Sequence, residues 1–314
     1  EGYHRKAGLP HAEIEALRDA GSKAKGGELF VNLEPCCHYG RTPPCTDAII
    51  AAGIKKVVVG MRDPNPLVRG RGIRILRRSG IEVVSGVLRD DCERTNEVFI
   101  KYIRSRLPFV ILKGAISLDG KIATRCGESK WISSPASRRR AHELRSRVDA
   151  IMAGAGTVLK DDPLLTARLN GRKTVCPVRV ILDHEHIVPL TANVFRNAAT
   201  EKVIYAAGGN ISSAREKALL AMGIEICYPR IRNGKIDLRH MMKLLGEREV
   251  TSVLIEGGSL INESALRDKI VDKVIFFIAP MIIGGKNATG LVGGEGICRL
   301  KDAFKIKNLV VEKC

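Results

Sequence analysis

The segments H-A-E at residues 11–13 and P-C-C-H-Y-G-R-T-P-P-C at residues 35–45 carry the strongest signal in the chain. The imidazole of His11 and the thiols of Cys36 and Cys45 can together hold a zinc ion and leave its fourth tetrahedral position open for water. The carboxylate of Glu13, two residues after His11, can move the protons of that water. The sequence therefore predicts a catalytic zinc centre with three protein ligands.

The order H-x-E followed by P-C is typical of zinc-dependent base deaminases, in which the glutamate is the general acid/base and not a ligand. We expect the ion to make hydroxide available near neutral pH, and Glu13 to pass the proton to a ring nitrogen and then to ammonia. Nucleic-acid and nucleoside deaminases have P-C-x-x-C, whereas eight residues separate Cys36 from Cys45 here. This spacing disfavours a free cytidine or a flipped-out base as the substrate. A purely structural zinc with His38 as the fourth ligand is the alternative.

Hydrophobic patterning places these residues at the ends of regular elements in an alternating α/β segment. His11 and Glu13 begin a helix that runs to Gly21, Cys36 follows a short apolar strand, and Cys45 directly precedes a second helix. The other elements predicted before a boundary at Leu107-Pro108 are strands 56–60 and 81–84 and helices 72–79 and 90–104. We therefore divide the chain into domains 1–106 and 107–314.

The alternation starts again in the second domain, where glycine-rich turns are candidate phosphate-binding sites. The predicted strands are 109–112, 150–153, 178–182, 202–205, 224–226, 252–255 and 273–277. G-A-G-T at 154–157 is followed by Leu159, where a dinucleotide-binding G-x-G-x-x-G needs its third glycine. E-G-G-S at 256–259 follows a strand and opens a helix, so its bare amides suit the phosphates of NADPH. A tight strand–helix turn that uses glycine is the alternative.

The net charge and the aromatic content together indicate which kinds of partner to expect. The 314 residues include 52 basic and 34 acidic ones, a net charge of +18. Such a charge suggests a nucleic acid, a phosphorylated small substrate or NADPH as partner, or simply a basic solvated surface. Aromatic residues make up only 4%, with a single Trp131, which argues against a surface that stacks many nucleotides. We predict no nucleic-acid partner, and no membrane partner because no apolar run approaches the roughly 20 residues of a membrane span.

The cysteines and the first residue carry two further expectations. Nine cysteines without a secretory leader favour a reducing, cytoplasmic location. Three of them lie in the segment 35–45, and we expect most of the other six to be small buried residues. Because the numbering begins at Glu1 and enters the first motif at once, we also expect that an N-terminal portion is absent from it.

Longer motifs, spread over almost the whole chain, resemble those of the bifunctional deaminase/reductase family of riboflavin biosynthesis. They are G-Y-H-R-K-A-G-L-P-H-A-E, E-P-C-C-H-Y-G-R-T-P-P-C, M-R-D-P-N-P-L-V-R-G-R-G, L-D-G-K-I-A-T, S-K-W-I-S-S, D-D-P-L-L-T-A-R, V-R-V-I-L-D, I-E-G-G-S and A-P-M-I-I-G-G. The resemblance implies a cytidine-deaminase-like α/β/α domain, truncated at its N-terminus, followed by a dihydrofolate-reductase-like α/β domain.

The resemblance also implies two successive reactions. The first is zinc-dependent hydrolytic deamination of 2,5-diamino-6-ribosylamino-4(3H)-pyrimidinone 5′-phosphate, and the second is NADPH-dependent reduction of the ribosyl side chain to a ribityl chain. One zinc ion per chain would be held by His11, Cys36 and Cys45, with Glu13 as the proton shuttle. The residues implied for the deaminase pocket are His4, Asp63 and Asn65. A homo-oligomer, dimer or tetramer, is expected as well.

For the reductase the resemblance implies a second set of residues. Those expected to contact NADPH are Ala115, Trp131, Thr157, Asp161 and the helix start from Gly258 and Ser259 to Ser264. Those expected to hold the substrate are Ser129, Arg145, Leu165, Arg168 and Glu256. The two arginines suit a 5′-phosphate, because a guanidinium group binds phosphate oxygens in pairs.

Several of these residues have plainer interpretations. Lys113 and Asp161 are candidates for catalytic roles in the reductase, but could be a surface lysine and a helix cap. Arg145 and Arg168 could each be solvated, and Trp131 could be a core residue.

Two other functions remain open. A nucleic-acid base deaminase with an RNA-binding second domain fits the charge, but it predicts stacking aromatic residues and P-C-x-x-C, and the sequence has neither. In the other, the first domain is a non-catalytic zinc scaffold and only the reductase works.

Overall fold

The computed structural model describes residues 1–6, 8–169 and 175–314. Two compact units make up the chain, Glu1–Ser105 and Arg106–Cys314. Both are α/β units with parallel sheets, as the alternating pattern predicts. None of the helices in the described part of the chain has the length and apolar character needed to cross a bilayer.

The first unit is a parallel sheet with helices packed against it. Its strands are β1 Glu28–Leu33, β2 Lys56–Met61 and β3 Glu82–Ser85, in the order β1-β2-β3. Its helices are α1 Ala12–Ala20, α2 Cys45–Ala51, α3 Arg71–Arg78, α4 Arg89–Thr95 and α5 Glu97–Ser105. Ile49, Val57 and Leu76 are fully buried and bring α2, β2 and α3 into one core. The apolar residues of α3 recur at helical spacing, so its arginines face outward.

The sequence predicts one helix over 90–104, and this prediction is wrong in detail. The structure has α4 and α5, with Asn96 between them. The side-chain amide of Asn96 donates a hydrogen bond to the carbonyl of Cys92 at 2.8 Å. Its main-chain N–H also donates to that carbonyl, at 3.0 Å, but its backbone dihedrals, φ −103° and ψ 13°, depart from helical values and mark the interruption.

The second unit is built on a larger parallel sheet. Its strands are β4 Phe109–Ser117, β5 Ala150–Gly154, β6 Val178–Asp183, β7 Val203–Ala207, β8 Glu225–Cys227, β9 Ile231–Arg232, β10 Lys235–Ile236, β11 Ser252–Ile255 and β12 Lys273–Ala279. Among the described residues the main sheet has the order β12-β4-β11-β5-β6-β7-β8, and each neighbouring pair is parallel. β9 and β10 form a separate antiparallel pair.

Helices pack against this sheet and account for its apolar strands. They are α6 Pro135–Arg145, α7 Ala155–Asp161, α8 Ser213–Ala221, α9 Leu238–Glu247 and α10 Ser259–Arg267. Every residue of β5 and β7 is buried, as expected for strands covered on both faces. On α9, Leu238, Met241 and Leu245 share one face and are buried in the core. Because the strands are parallel, their carboxyl ends meet at one edge, where α/β sheets bind ligands.

Two expectations about single residue types are wrong. Of the six cysteines outside the segment 35–45, only Cys227 is buried. Cys92 and Cys176 are half-buried, and the other three, which are exposed, are Cys126, Cys298 and Cys314. The alternative that Trp131 belongs to the core is also wrong, because its side chain is 68% exposed.

Candidate active sites

The first unit brings three metal-binding side chains together. His11 directly precedes α1, Cys36 follows β1, and Cys45 is the first residue of α2. His11 Nδ1 lies 3.3 Å from Cys45 Sγ and 3.5 Å from Cys36 Sγ, and the three ligand atoms all lie within 4.8 Å of one another. One imidazole nitrogen and two sulfurs are a donor set that suits zinc and leaves a fourth position for water.

The surroundings of this cluster fix the orientation of the His11 ring. Its other nitrogen, Nε2, lies 3.3 Å from the hydroxyl of Thr42. A partner on the second nitrogen holds a metal-binding histidine in one tautomer and direction. His4 packs edge-on against the same ring, with 5.1 Å between the centroids. Within the described residues, His38 is not part of the metal-binding group, which disfavours a four-ligand structural zinc.

The electrostatics of the cluster favour thiolate and a proton-accepting carboxyl. The hydrogen bond with the Cys45 thiol, together with His11, lowers the pKa of Cys36. The same hydrogen bond and burial raise the pKa of Cys45. Burial raises the pKa of Glu13, which interacts with Cys45 and Cys36. A carboxyl with a raised pKa is suited to accept and return a proton near neutral pH.

Asp63 and Asn65 lie in the loop between β2 and α3. The side chain of Asp63 is 5% exposed, and burial raises its pKa to about 6. Its carboxylate accepts the main-chain N–H of Asn65 at 2.7 Å, and Asn65 Oδ1 accepts the N–H of Leu67 at 3.0 Å. Asp63 also interacts electrostatically with Cys36, so this loop borders the metal-binding cluster.

Sequence reasoning does not single out Glu34, which the structure makes central to this region. Glu34 is 2% exposed, and its carboxylate accepts hydrogen bonds from the main-chain N–H groups of Asp63, Gly70 and Ile73. The only signal for it in the sequence is its place directly before Pro35 and Cys36.

In the second unit a carboxylate and two cations meet at the carboxyl end of β11. Arg145 Nε and Nη2 donate to Glu256 Oε1 and Oε2 at 2.6 and 2.8 Å, and Lys113 Nζ lies 3.4 Å from Oε2. The side chain of Glu256 is 9% exposed. Burial alone would raise the pKa of Glu256, but Lys113 and Arg145 lower it to about 2. The group therefore stays ionised at every physiological pH.

The guanidinium group of Arg145 donates most of its hydrogen bonds to acceptors within the protein. Besides the two bonds to Glu256, Nη1 donates to the carbonyl of Thr166 at 3.2 Å. A guanidinium group has five N–H donors, so part of its capacity remains for a ligand. Arg168 is exposed, and its main-chain N–H donates to His142 Nδ1 at 3.2 Å. Leu165 is buried, with a left-handed backbone.

The turn at Gly257-Gly258 fits a phosphate-binding role. α10 begins at Ser259, and Gly258 occupies its N-cap position without a side-chain cap. A Cβ on Gly258 would lie 3.4 Å from the hydroxyl of Thr157, so this turn approaches α7 closely. Uncapped amides at a helix start suit an anion, which is consistent with a dinucleotide phosphate.

The remaining predicted cofactor residues lie on different elements of the second unit. Ala115 is in β4, opposite Phe277 of β12. Asp161 ends α7 and is not its N-terminal cap, and the hydroxyl of Ser129 lies 3.4 Å from its carboxylate. Arg138 packs over the Trp131 ring, 4.5 Å from its centroid.

Comparisons with known proteins assign a family to each unit. Residues 1–61 match the family model of the cytidine and deoxycytidylate deaminase zinc-binding region, and residues 108–311 match that of the RibD C-terminal domain. The riboflavin biosynthesis protein RibD of Actinobacillus pleuropneumoniae is 42% identical over 307 residues, covering 98% of this chain and 81% of that protein. This chain belongs to the RibD family.

Two further RibD-family proteins extend the agreement. RibD of Aquifex aeolicus is 44% identical over 312 residues, covering 99% of this chain and 84% of that protein. A crystal structure from Thermotoga maritima, described as a diaminohydroxyphosphoribosylaminopyrimidine deaminase/5-amino-6-(5-phosphoribosylamino)uracil reductase, has a TM-score of 0.84 and 38% identity, covering 98% of this chain and 82% of that one. The deaminase-like and reductase-like fold assignments are confirmed, and neither a nucleic-acid deaminase nor a reductase with an inert scaffold is favoured.

Proposed function

We propose that this chain, as a RibD-family deaminase and reductase of riboflavin biosynthesis, acts twice on one phosphorylated ribosylaminopyrimidine. The first unit removes an amino group from the pyrimidine, and the second reduces the ribosyl side chain to a ribityl chain. The observation that carries the proposal is the convergence of His11, Cys36 and Cys45 on one point beside Glu13.

In the deamination, His11, Cys36 and Cys45 would hold one zinc ion per chain. When bound, zinc makes a water molecule acidic enough to serve as a nucleophile near neutral pH. Glu13 accepts a proton from the attacking water and returns it to the ring nitrogen and then to the departing ammonia. His4, Asp63 and Asn65 bind the pyrimidine. The raised pKa of Glu13 supports its role, because the carboxyl must both accept and release a proton.

In the reduction, NADPH would be held at the turn of Gly258 and Ser259, with its other contacts from Ala115, Trp131, Thr157 and Asp161. When bound, NADPH supplies a hydride to C1′ of the ring-opened substrate. Ser129, Arg145, Leu165, Arg168 and Glu256 bind the substrate. Lys113, whose Nζ lies 3.4 Å from Glu256 Oε2, is our candidate for proton delivery, with Asp161 as the other candidate. We prefer NADPH to NADH because the chain is rich in arginine and lysine, which suit a 2′-phosphate.

We further propose a homo-oligomer in a reducing cytoplasm. The free state of all nine cysteines is consistent with that compartment.

Both activities can be tested on one preparation. Ammonia release and NADPH-dependent consumption of the deaminated pyrimidine are measured for the wild type, for Glu13→Ala and for Glu15→Ala, a control two residues along α1. We expect Glu13→Ala to lose ammonia release by a factor of about 100 or more while the reductase rate is unchanged. Unchanged ammonia release in Glu13→Ala would contradict the proposed deaminase mechanism.

A further inference from the structure

The carboxylate of Glu34 joins two segments of the first unit. Its Oε2 accepts the N–H of Asp63 at 3.2 Å and that of Gly70 at 2.9 Å, and its Oε1 accepts the N–H of Ile73 at 3.1 Å. These three amides bracket the whole loop between β2 and α3. One buried side chain therefore holds both ends of that loop, which carries Asp63 and Asn65.

Glu34 also caps α3. Gly70 occupies the N-cap position in a left-handed conformation and has no side chain with which to accept the free amides of the first turn. The Glu34 carboxylate accepts two of them from across the structure. A negative charge is favourable at this end of a helix, because the amide dipoles there point their positive ends outward.

The other side of Glu34 is fixed to the metal-binding segment. Its main-chain N–H donates to the carbonyl of Met61 at 2.9 Å and so continues the pairing of β1 with β2. The carbonyl of Cys36, two residues on, accepts the N–H of Thr46 at 3.2 Å. A Cβ on Gly72 would lie only 2.2 Å from the carbonyl oxygen of Pro35, so α3 and this segment are in direct contact.

We propose that Glu34 is a positioning residue for the deaminase reaction. By holding the loop 63–70 against the segment that carries Cys36, it sets the distance between the pyrimidine-binding side chains and the zinc donors. The inference rests on the proposed function of Asp63 and Asn65, and Glu34 itself lies outside the group of metal-binding side chains found among the described residues.

The substitution Glu34→Gln separates this role from simple filling of space. Glutamine keeps the shape but replaces one acceptor oxygen with an NH₂ group, which would face main-chain donors. At least one of the three hydrogen bonds is lost in either orientation, and a buried N–H is left without a partner. The loop shifts, and a misplacement of about 1 Å can cost on the order of 100-fold in efficiency.

The experiment compares Glu34→Gln with Glu28→Gln, which changes an exposed glutamate at the start of β1, the strand that Glu34 follows. For both variants, zinc per chain, the KM and kcat for deamination and the kinetics of reduction are measured. We expect Glu34→Gln to raise the deaminase KM by about 10- to 100-fold, with a smaller change in kcat. Zinc content and reduction should match those of the control.

Deaminase KM and kcat in Glu34→Gln equal to those of Glu28→Gln would overturn the inference and leave the proposed function intact. Zinc loss in proportion to activity would overturn it too, because Glu34 would then support the metal centre and not the loop. A failure of Glu13→Ala to reduce ammonia release would instead count against the proposed function.

A second measurement needs no variant, in case Glu34→Gln does not fold. Hydrogen exchange of the wild type, followed by NMR, should show slow exchange of the amides of Asp63, Gly70 and Ile73, as slow as those of β2. Fast exchange of these three amides would show that Glu34 does not hold the loop.

Discussion

Glu34 and Glu256 are carboxylates in equivalent places, each directly after a strand of a parallel sheet and directly before the segment that carries a candidate site. Their partners differ. Glu34 accepts three main-chain N–H groups, whereas Glu256 is bound by the side chains of Arg145 and Lys113. Main-chain amides cannot move without moving the backbone, while the side chains of arginine and lysine can change rotamer. The first arrangement therefore fixes a loop, and the second can rearrange around a ligand.

Because their partners differ, mutation of Glu34 and mutation of Glu256 should have different consequences. Removing the charge of Glu34 disturbs the position of a loop. Removing that of Glu256 leaves two half-buried cations without their counter-charge, which is the costlier change because one partner of an ion pair is lost. The carboxylate in the second unit should thus matter for stability as well as for turnover.

The largest expected effect is on ammonia release, and it separates the two units because only the first unit loses its activity. Cys45→Ala removes one of two sulfur donors and should abolish zinc binding, with a loss of ammonia release of about 1,000-fold or more, since metal activation of water is worth several kcal/mol. The reductase rate should be unchanged. Metal analysis and the two assays on one preparation measure this.

Cys37→Ala is the matched control, because Cys37 lies next to Cys36 but outside the metal-binding group. Equal zinc content in Cys45→Ala and Cys37→Ala would contradict the assignment of Cys45 as a ligand.

Next in size is the effect of Glu256→Gln on the second unit. We expect the kcat/KM of reduction to fall by about 100-fold and the free energy of unfolding to fall by about 3 kcal/mol, because Arg145 and Lys113 lose their charged partner. Ammonia release should be unaffected. Steady-state kinetics and chemical denaturation, with the exposed Glu247→Gln as control, check both values. Reduction and stability at the control level would show that this ion pair matters to neither.

The smallest expected effect is a pH dependence of the stability that comes from Glu256. The pKa of Glu256 is about 2 in the folded chain, below its ordinary value of 4.5. A lowered carboxyl pKa stabilises the fold above pH 4.5, and that contribution disappears as the pH falls from 4.5 toward 2, for a total of roughly 3 kcal/mol. Melting temperatures from pH 7 to 3 should show the wild type approaching Glu256→Gln as the pH falls. A constant difference between the two would contradict the assignment.

The two sites also differ in how far the sequence could predict them. The metal-binding residues can be recognised from the sequence alone. One imidazole and two thiols close together in the chain, with a glutamate between the first and second of them, have few functions other than binding a catalytic metal. The pair of Arg145 and Glu256 is separated by 111 residues, and no local pattern joins them. Only the family resemblance put both residues in one site, and it did not anticipate that they bind each other.

The role of Glu34 could not be predicted from the sequence, for a different reason. Its partners are main-chain amides, and every residue except proline has one, so the sequence does not say which amides a buried glutamate will meet. The alternating strands and helices were predictable from hydrophobic patterning, since that pattern reflects burial. The break at Asn96 lies in the backbone dihedrals of one residue, and the exposure of Trp131 depends on tertiary packing. Hydrophobic patterning predicts neither.

Gly72 has a consequence for protein engineering. Suppose that a mutant library varies residues 63–72 so that the site accepts other pyrimidines. Variants with a residue other than glycine at position 72 should fold poorly, because a Cβ there would lie 2.2 Å from the carbonyl oxygen of Pro35. The insertion between Cys36 and Cys45 offers more freedom, since Tyr39 is 78% exposed. New substrate preferences should therefore be sought in the residues that follow the first sulfur ligand, with the loop after β2 kept as it is.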